Sequence, residues 1–253
     1  MQLLIIGAGR LGGAIAQAAT AAGWSTGIMG RPAQDGTRPA APLADVVMET
    51  SVGHAVAANL ADALAAGNRR FVIGTSAWDA DLPRVRQLLL EHDAAAVVAP
   101  NLALGAAIFL RLVEQAAAMY GRAGGFEPSI VEWHRRGKAD RPSGTARHLA
   151  RRVVAADPRW AGPDAAADDP RPALEVVGIR AGVAPGTHLV TFDGPGETVE
   201  LRLAARDRTG YADGALAAAR WLMAEDREAG LHPFDAVVDS LLAATPAAEA
   251  VPA

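Results

Sequence analysis

A histidine, a lysine and a turn suited to holding an anion lie within fourteen residues, Glu132-Trp-His-Arg-Arg-Gly-Lys-Ala-Asp-Arg-Pro-Ser-Gly-Thr145. Ser143-Gly144-Thr145 follows a proline and precedes Ala146–Val153, a run that reads as helix. The first backbone N–H groups of a helix have no partner within it, and small residues there leave room for a carboxylate or phosphate. His134 is placed as an acid near neutral pH, and Lys138 as a rival proton donor or stabiliser of negative charge. The chemistry predicted is to hold an acid and move a proton. The competing reading is a basic surface loop ahead of an ordinary capped helix.

A second set of residues points to a nucleotide. The apolar run Met1–Ile6 leads into Gly7-Ala8-Gly9-Arg10-Leu11-Gly12 and an alanine-rich helix. This is G-x-G-x-x-G between a strand and a helix: the first glycine turns the chain, the second admits a pyrophosphate, and the third lets helix and strand pack closely. Cofactor contacts are therefore expected at Gly7, Gly9, Arg10, Leu11 and Gly12. The next strand, Ser25–Met29, ends in Gly30-Arg31 rather than in an acid. A guanidinium there pairs with a 2′-phosphate, whereas an acid would repel it, so Arg31 predicts NADPH, with NADH weaker.

Strands expected at 45–49, 70–74 and 95–99 alternate with helices at 55–66 and 82–91, the pattern of a parallel, doubly wound sheet. Ligands on such a sheet lie beyond the carboxyl ends of its strands. That rule marks Thr50-Ser51, Gly74-Thr75-Ser76-Ala77 and Pro100-Asn101. From residue 106 the pattern becomes helix, strand, helix and three strands (174–180, 187–193, 197–204), an α+β unit with a mixed sheet. The loop 157–172, rich in Asp, Pro and Ala, is expected to be mobile. The division predicted is a dinucleotide-binding domain over 1–105, completed by 209–253, and a substrate and oligomerisation domain over 106–208.

With 253 residues, 51% of them hydrophobic and 21% charged, the chain has material for two such domains. A net charge of −4 gives no basic field for nucleic acid or an anionic membrane. The absence of cysteine excludes disulfides and thiolate metal sites, and no His/Asp/Glu spacing suggests a metal. A start directly in a strand, and no apolar run of membrane-spanning length, lead to the expectation of a cytoplasmic protein.

Glu132, His134, Lys138, Asp140, Pro142, Ser143, Gly144, Thr145 and Ala146 together resemble the signature of the 4-hydroxy-tetrahydrodipicolinate reductases, E-x-H-H-x-x-K-x-D-x-P-S-G-T-A. Gly74-Thr75-Ser76-Ala77 resembles that family's G-T-T-G, which holds the nicotinamide carboxamide, and Glu49-Thr50-Ser51 partly resembles its D-F-S. Ala99-Pro100-Asn101-Leu102-Ala103-Leu104-Gly105 resembles its interdomain hinge. Gly178–Gly182, Gly186-Thr187-His188 and Arg208-Thr209-Gly210-Tyr211-Ala212 follow its later course, so the resemblance spans about residues 1–240. It implies reduction of 4-hydroxy-tetrahydrodipicolinate in lysine and diaminopimelate biosynthesis. Cofactor residues then extend to Ser51, Gly74, Thr75, Pro100 and Asn101. Ser143, Gly144, Thr145, Arg135 and Arg208 bind the dicarboxylate or imino-acid substrate, and His134 with Lys138 deliver the proton. A homotetramer formed through the substrate-domain sheet is implied as well.

One departure stands out: Arg135 occupies the position of the family's second histidine. It leaves open a relative that reduces a different cyclic imine. Two further readings remain: a dehydrogenase using the dinucleotide half with another active site, and a regulatory protein that binds NADPH without turnover. Of the other histidines, His54, His92, His148 and His232 are expected at the surface or in structural roles, and His188 as a satisfied sheet histidine.

Overall fold

The structure is a computed structural model, and residues 1–30, 40–99 and 101–243 are described. The chain divides into two compact units, Met1–Leu104 with Thr209–Ala253, and Gly105–Arg208. Among the described residues, no helix is long and apolar enough to cross a membrane.

The first unit holds a six-stranded sheet made of β1 (Gln2–Ile6), β2 (Ser25–Met29), β3 (Val46–Glu49), β4 (Arg70–Ile73), β5 (Ala95–Val98) and β10 (Gly230–Pro233). The strand order is β10-β5-β4-β3-β1-β2 and every pairing is parallel. Strands of a parallel sheet are covered on both faces, so the inner ones are continuously apolar rather than alternating. Hence Leu3–Ile6 and Val46–Met48 are buried throughout. Five helices accompany the sheet: α1 (Arg10–Ala21), α2 (Val56–Ala65), α3 (Leu82–Glu91), α6 (Thr209–Ala224) and α7 (Phe234–Ala243). Leu60 and Leu64 of α2 and Val85 and Leu89 of α3 join Leu4, Val47, Phe71 and Ile73 in one core.

β1 has β2 on one side and β3 on the other, so the strand order reverses there. The carboxyl ends of strands at such a reversal form the crevice where this architecture binds its ligands. The sequence did not predict β10 or α7. Only Leu231 of Gly230-Leu231-His232-Pro233 is strongly apolar, and a proline is tolerated there because β10 is an edge strand with one paired side.

The second unit has α4 (Leu104–Ala123), β6 (Glu127–His134), α5 (Gly144–Ala156), β7 (Glu175–Arg180), β8 (Thr187–Asp193) and β9 (Thr198–Ala204). Its sheet runs β7-β6-β8-β9, parallel between β6 and β7 and antiparallel elsewhere. Phe109 and Val113 of α4, Leu149 and Val153 of α5, and Ile130, Val190 and Phe192 of the sheet form its core. The ring of Tyr120 stacks on Phe192 at 4.9 Å. The loop after α5 is more tied down than its composition predicts. Buried Asp157 takes two bonds from the Arg159 guanidinium (2.8 and 2.7 Å), and Ala161 exchanges backbone bonds with Pro172 and Leu174.

Strand β6 decides the chemistry of this unit. Side chains alternate faces along a strand, so Ile130 facing the core commits Glu132 and His134 to the same face. Register then sets Glu132 opposite both Gly178 and His188, and His134 opposite Arg180. Four polar side chains meet because the pleat has a period of two.

The turn after β4 holds Ala77 at φ 60°, and its carbonyl presses on Gly53, where an added Cβ would lie 2.0 Å from Ala77 O. A left-handed conformation costs an L-residue about 1–2 kcal/mol, which glycine avoids while losing about 0.5–1 kcal/mol in chain entropy. Ala77→Gly should therefore raise stability by about 0.5 kcal/mol and Tm by roughly 1–2 °C in a thermal melt. A lower Tm would show that the turn carries no such strain.

Candidate active site

The glycine turn after β1 has the geometry a dinucleotide needs. Gly7 turns at φ +108° while its N–H donates to Met29 O at 2.8 Å, and a Cβ on Gly12 would lie 2.1 Å from Gly7 O. Gly9 caps α1 without a side-chain bond and has open space where its Cβ would stand. Among the described residues no side chain caps α1, so its N-terminus offers backbone donors to an anion. The cleft beside it has a volume of about 740 Å³ and is lined by Gly7, Gly9, Gly30, Ser51, Val52 and His54, among others. Size, open glycine and free helix terminus fit a nicotinamide dinucleotide.

The remaining predicted cofactor residues fall into distinct environments. Arg10 opens α1 and is exposed, and Leu11 packs within 3.2 Å of a Cβ built on Gly74. Ser51 and Thr75 belong to a network around Glu49, whose side chain is fully buried at the end of β3. Glu49 Oε1 accepts from the Ser51 N–H (2.9 Å), the Ser51 hydroxyl and the Thr75 hydroxyl (3.2 Å), and Asn59 donates to Oε2 at 2.9 Å. Asn101 Oδ1 accepts from Ala103 N at 2.8 Å, capping the entry to α4. Arg31 and Pro100 lie outside the described residues. His54, expected at the surface or in a structural role, is exposed but lines the cleft. Sequence spacing missed it because the 3₁₀ turn Gly53–Ala55 carries it there.

The signature segment is organised by Glu132, 1% exposed. Its Oε1 accepts from the Ser143 N–H at 2.8 Å and from Arg180 Nη2 at 2.7 Å. The same Arg180 donates to Asp140 O, binding the loop to β7. Glu132 Oε2 lies 3.3 Å from His134 Nδ1 and 3.7 Å from His188 Nε2, without hydrogen-bond geometry to either. Two glycines make room: a Cβ on Gly178 would lie 3.0 Å from Glu132 Oε1, and one on Gly186 would lie 3.1 Å from His134 Nε2.

Ser143, expected to bind substrate, is occupied internally. It is 2% exposed, its N–H serves Glu132, and its Oγ accepts from Ala146 N at 3.2 Å as the N-cap of α5. Its hydroxyl faces His188 Nε2 at 3.3 Å and the Glu132 carboxylate, so its single proton is directed inward. Gly144 and Thr145, at the first positions of α5, remain outside this core. Lys138 Nζ stands 2.7 Å from Asp140 Oδ1; burial raises the Asp140 carboxyl, but Lys138 and the Gly144 backbone outweigh it and hold the group below its ordinary value. Arg135 is exposed with Nη1 against Gly137, 2.9 Å from where its Cβ would be. Arg208 is exposed between β9 and α6 and is not among the partners of the Glu132 network.

Burial sets the electrostatics of this segment. Burial pushes the His134 imidazole below its ordinary value, and Lys138 and Arg180 push the same way against Glu132. The shift favours the neutral form of the His134 imidazole. Burial also drives His188 down to about 4, with His134 adding to the effect and Glu132 opposing it. For Glu132, burial raises the carboxyl, but Ser143 and Arg180 together outweigh it and hold the group below 4.5. Glu49 shows the reverse balance: burial outweighs its neutral donors and raises the carboxyl.

Glu132, His134 and His188 each bring one metal-ligating atom within 4.8 Å of the others, a trio that linear spacing did not reveal. Its one negative charge is already matched by Arg180 at 2.7 Å, which makes the cluster an ion-paired polar core. The sequence signal for Arg180 and His188 was the even spacing of Glu132 and His134 behind Ile130, combined with a cross-strand partner.

Residues 105–238 match the family model described as dihydrodipicolinate reductase, C-terminus. A 4-hydroxy-tetrahydrodipicolinate reductase of Zymomonas mobilis is 35% identical over 253 residues, covering 93% of this chain and 95% of the relative. One from Cutibacterium acnes is 32% identical over 239 residues, covering 88% and 93%. The solved structure of a dipicolinate-bound dihydrodipicolinate reductase from Paenisporosarcina sp. TG-14 superposes with a TM-score of 0.70 at 19% identity, over 92% of this chain and 97% of that one. At that identity the superposition speaks for the fold.

The two histidines give a pH test. A His whose folded value is depressed leaves stability intact above its unfolded value of 6.5 and removes it as pH falls towards the folded value near 4. The loss for His188 is on the order of 3 kcal/mol. Thermal melts between pH 7 and pH 4 should show Tm falling steeply in the wild type and less steeply in His188→Gln. Equal slopes would mean that His188 is not buried in its neutral form.

Proposed function

The chain belongs to the dihydrodipicolinate reductase family, and on that premise we propose that it catalyses the NADPH-dependent reduction of 4-hydroxy-tetrahydrodipicolinate to tetrahydrodipicolinate. The observation that carries this reading is Lys138 beside an α5 N-terminus whose own cap is already satisfied by Ser143. The open N-terminus of α1 at Gly9 holds the pyrophosphate, and Arg31 pairs with the 2′-phosphate. When bound, the nicotinamide supplies a hydride.

The chain's own groups do the rest. The backbone N–H groups of Gly144 and Thr145, with the Thr145 hydroxyl, bind one substrate carboxylate. Arg135 takes the second carboxylate in place of the family's histidine, through the bidentate geometry a guanidinium offers. The 4-hydroxyl leaves with a neighbouring ring hydrogen as water, and the hydride adds to the unsaturated ring that results. Lys138 lowers the energy of the anion so formed and gives it a proton, with His134 beside it orienting the transfer. Arg208 adds positive charge.

Two coarser features accompany the activity. The outer face of the four-stranded sheet leaves Trp133 49% and Val177 41% exposed, beside the partly exposed Val131, Ile179 and Leu189. That apolar face supports a homotetramer assembled through the substrate unit. A cysteine-free chain carrying out a reductive biosynthetic step belongs in the cytoplasm. One specific observation favours a second reading: Arg135 suits a different cyclic imine bearing an additional acid.

The deciding assay is NADPH oxidation with freshly generated 4-hydroxy-tetrahydrodipicolinate beside a panel of cyclic imino acids. Turnover of the first compound above all others is expected, and activity confined to another imine would replace the substrate assignment. Two variants separate the halves of the site. Gly9→Ala should keep the wild-type Tm but raise the NADPH KM about tenfold or more by filling the pyrophosphate approach. Thr145→Val should raise the substrate KM and leave the NADPH KM within a few-fold. Lys138→Ala should cost roughly 10²-fold or more in kcat. A variant failing on the opposite ligand would reassign its residue.

A further inference from the structure

Asp140 stands where a ligand would. Its carboxylate is 2.7 Å from Lys138 Nζ, and although burial raises this carboxyl, Lys138 and the Gly144 backbone at the start of α5 hold it below its ordinary value. The proposed function allots the Gly144 backbone to the substrate carboxylate and Lys138 to the anion formed on reduction. Helix capping does not explain the arrangement, because Ser143 already caps α5 through Ala146 N. Nor is the side chain locked in: it is 38% exposed, while the backbone beneath it is fixed by Arg180 on Asp140 O. The loop is held, and its carboxylate is free to leave.

We propose that Asp140 is an internal competitor, occupying the carboxylate site until an incoming carboxylate displaces it and frees Lys138. The inference rests on the proposed carboxylate site. An acid tethered next to its donors competes at a high effective concentration, so an external carboxylate binds only to the fraction of molecules in which Asp140 has swung away. That fraction scales the affinity of every carboxylate alike, whatever second anchor the ligand has. Lys138 is correspondingly held by Asp140 in the empty site and turned to the substrate in the filled one. A simple scaffolding role for Asp140 has the opposite sign: without it Lys138 would wander and ligands would bind more weakly.

The test is calorimetric titration of the full-length protein, saturated with cofactor, with pyridine-2,6-dicarboxylate and with pyridine-2-carboxylate. Wild type, Asp140→Ala and Asp140→Asn are compared, with Tm recorded for each. Both ligands should bind Asp140→Ala about 3- to 10-fold more tightly than wild type, by the same factor for the two. Asp140→Asn, isosteric and able to keep the loop folded, should tighten both at least twofold and decides the matter if the alanine variant does not fold. Weaker or unchanged binding in a folded variant overturns the competitor role and makes Asp140 a scaffold. Tightening confined to one ligand overturns it as well. If wild type and variants bind neither carboxylate, the proposed substrate site itself fails, and this inference with it.

Discussion

The substrate unit depends on one buried negative charge. The carboxylate of Glu132 has almost no contact with solvent, and taking such a group out of water costs several kcal/mol unless donors surround it. The donors it collects organise the site: Arg180 from β7, which also donates to the Asp140 carbonyl, and the Ser143 backbone from the mouth of α5. The loop that carries Lys138 and leads into α5 is thereby tied to the sheet at two points. Removing one member of such a buried pair typically costs about 3–5 kcal/mol, because the charge left behind has no partner.

The nucleotide unit uses a second glutamate in a different way. Glu49 is also fully buried at the carboxyl end of a strand, and it gathers Ser51, Asn59 and Thr75 from the loops and helix around the crevice. All its partners are neutral, so burial prevails and its carboxyl is raised, whereas the Arg180 guanidinium and Ser143 keep that of Glu132 low. Glu49 fixes the loops at its strand end by hydrogen bonding alone. Glu132 adds an ion pair, and keeps its charge next to two histidines whose neutral form burial favours.

Much of this was legible in the residues. Glycines at positions 7, 9 and 12 specify a turn, an open approach and a close packing, and each has that geometry. The alternation of short apolar strands with helices gave the parallel sheet, because periodicity is written locally. What could not be read locally was which polar groups meet. Ser143 belongs to a helix-start motif, yet its polar atoms turn inward, a consequence of β6–β8 register that no linear spacing records. His188 seemed an isolated strand histidine until Glu132 was set opposite it. His54 reaches the nucleotide cleft through a 3₁₀ turn, and β10 escaped notice because an edge strand needs little apolar sequence.

The central claim is that the charge on Glu132 holds the anion-binding turn and Lys138 in working order. The most direct measurement is kcat/KM for 4-hydroxy-tetrahydrodipicolinate in Glu132→Gln, a change that keeps the shape and removes the charge. Arg180 would then be left buried without its counter-ion, and kcat/KM should fall at least about 100-fold, equivalent to roughly 3 kcal/mol, while NADPH affinity stays within a few-fold. A Glu132→Gln enzyme with near wild-type kcat/KM would contradict the account.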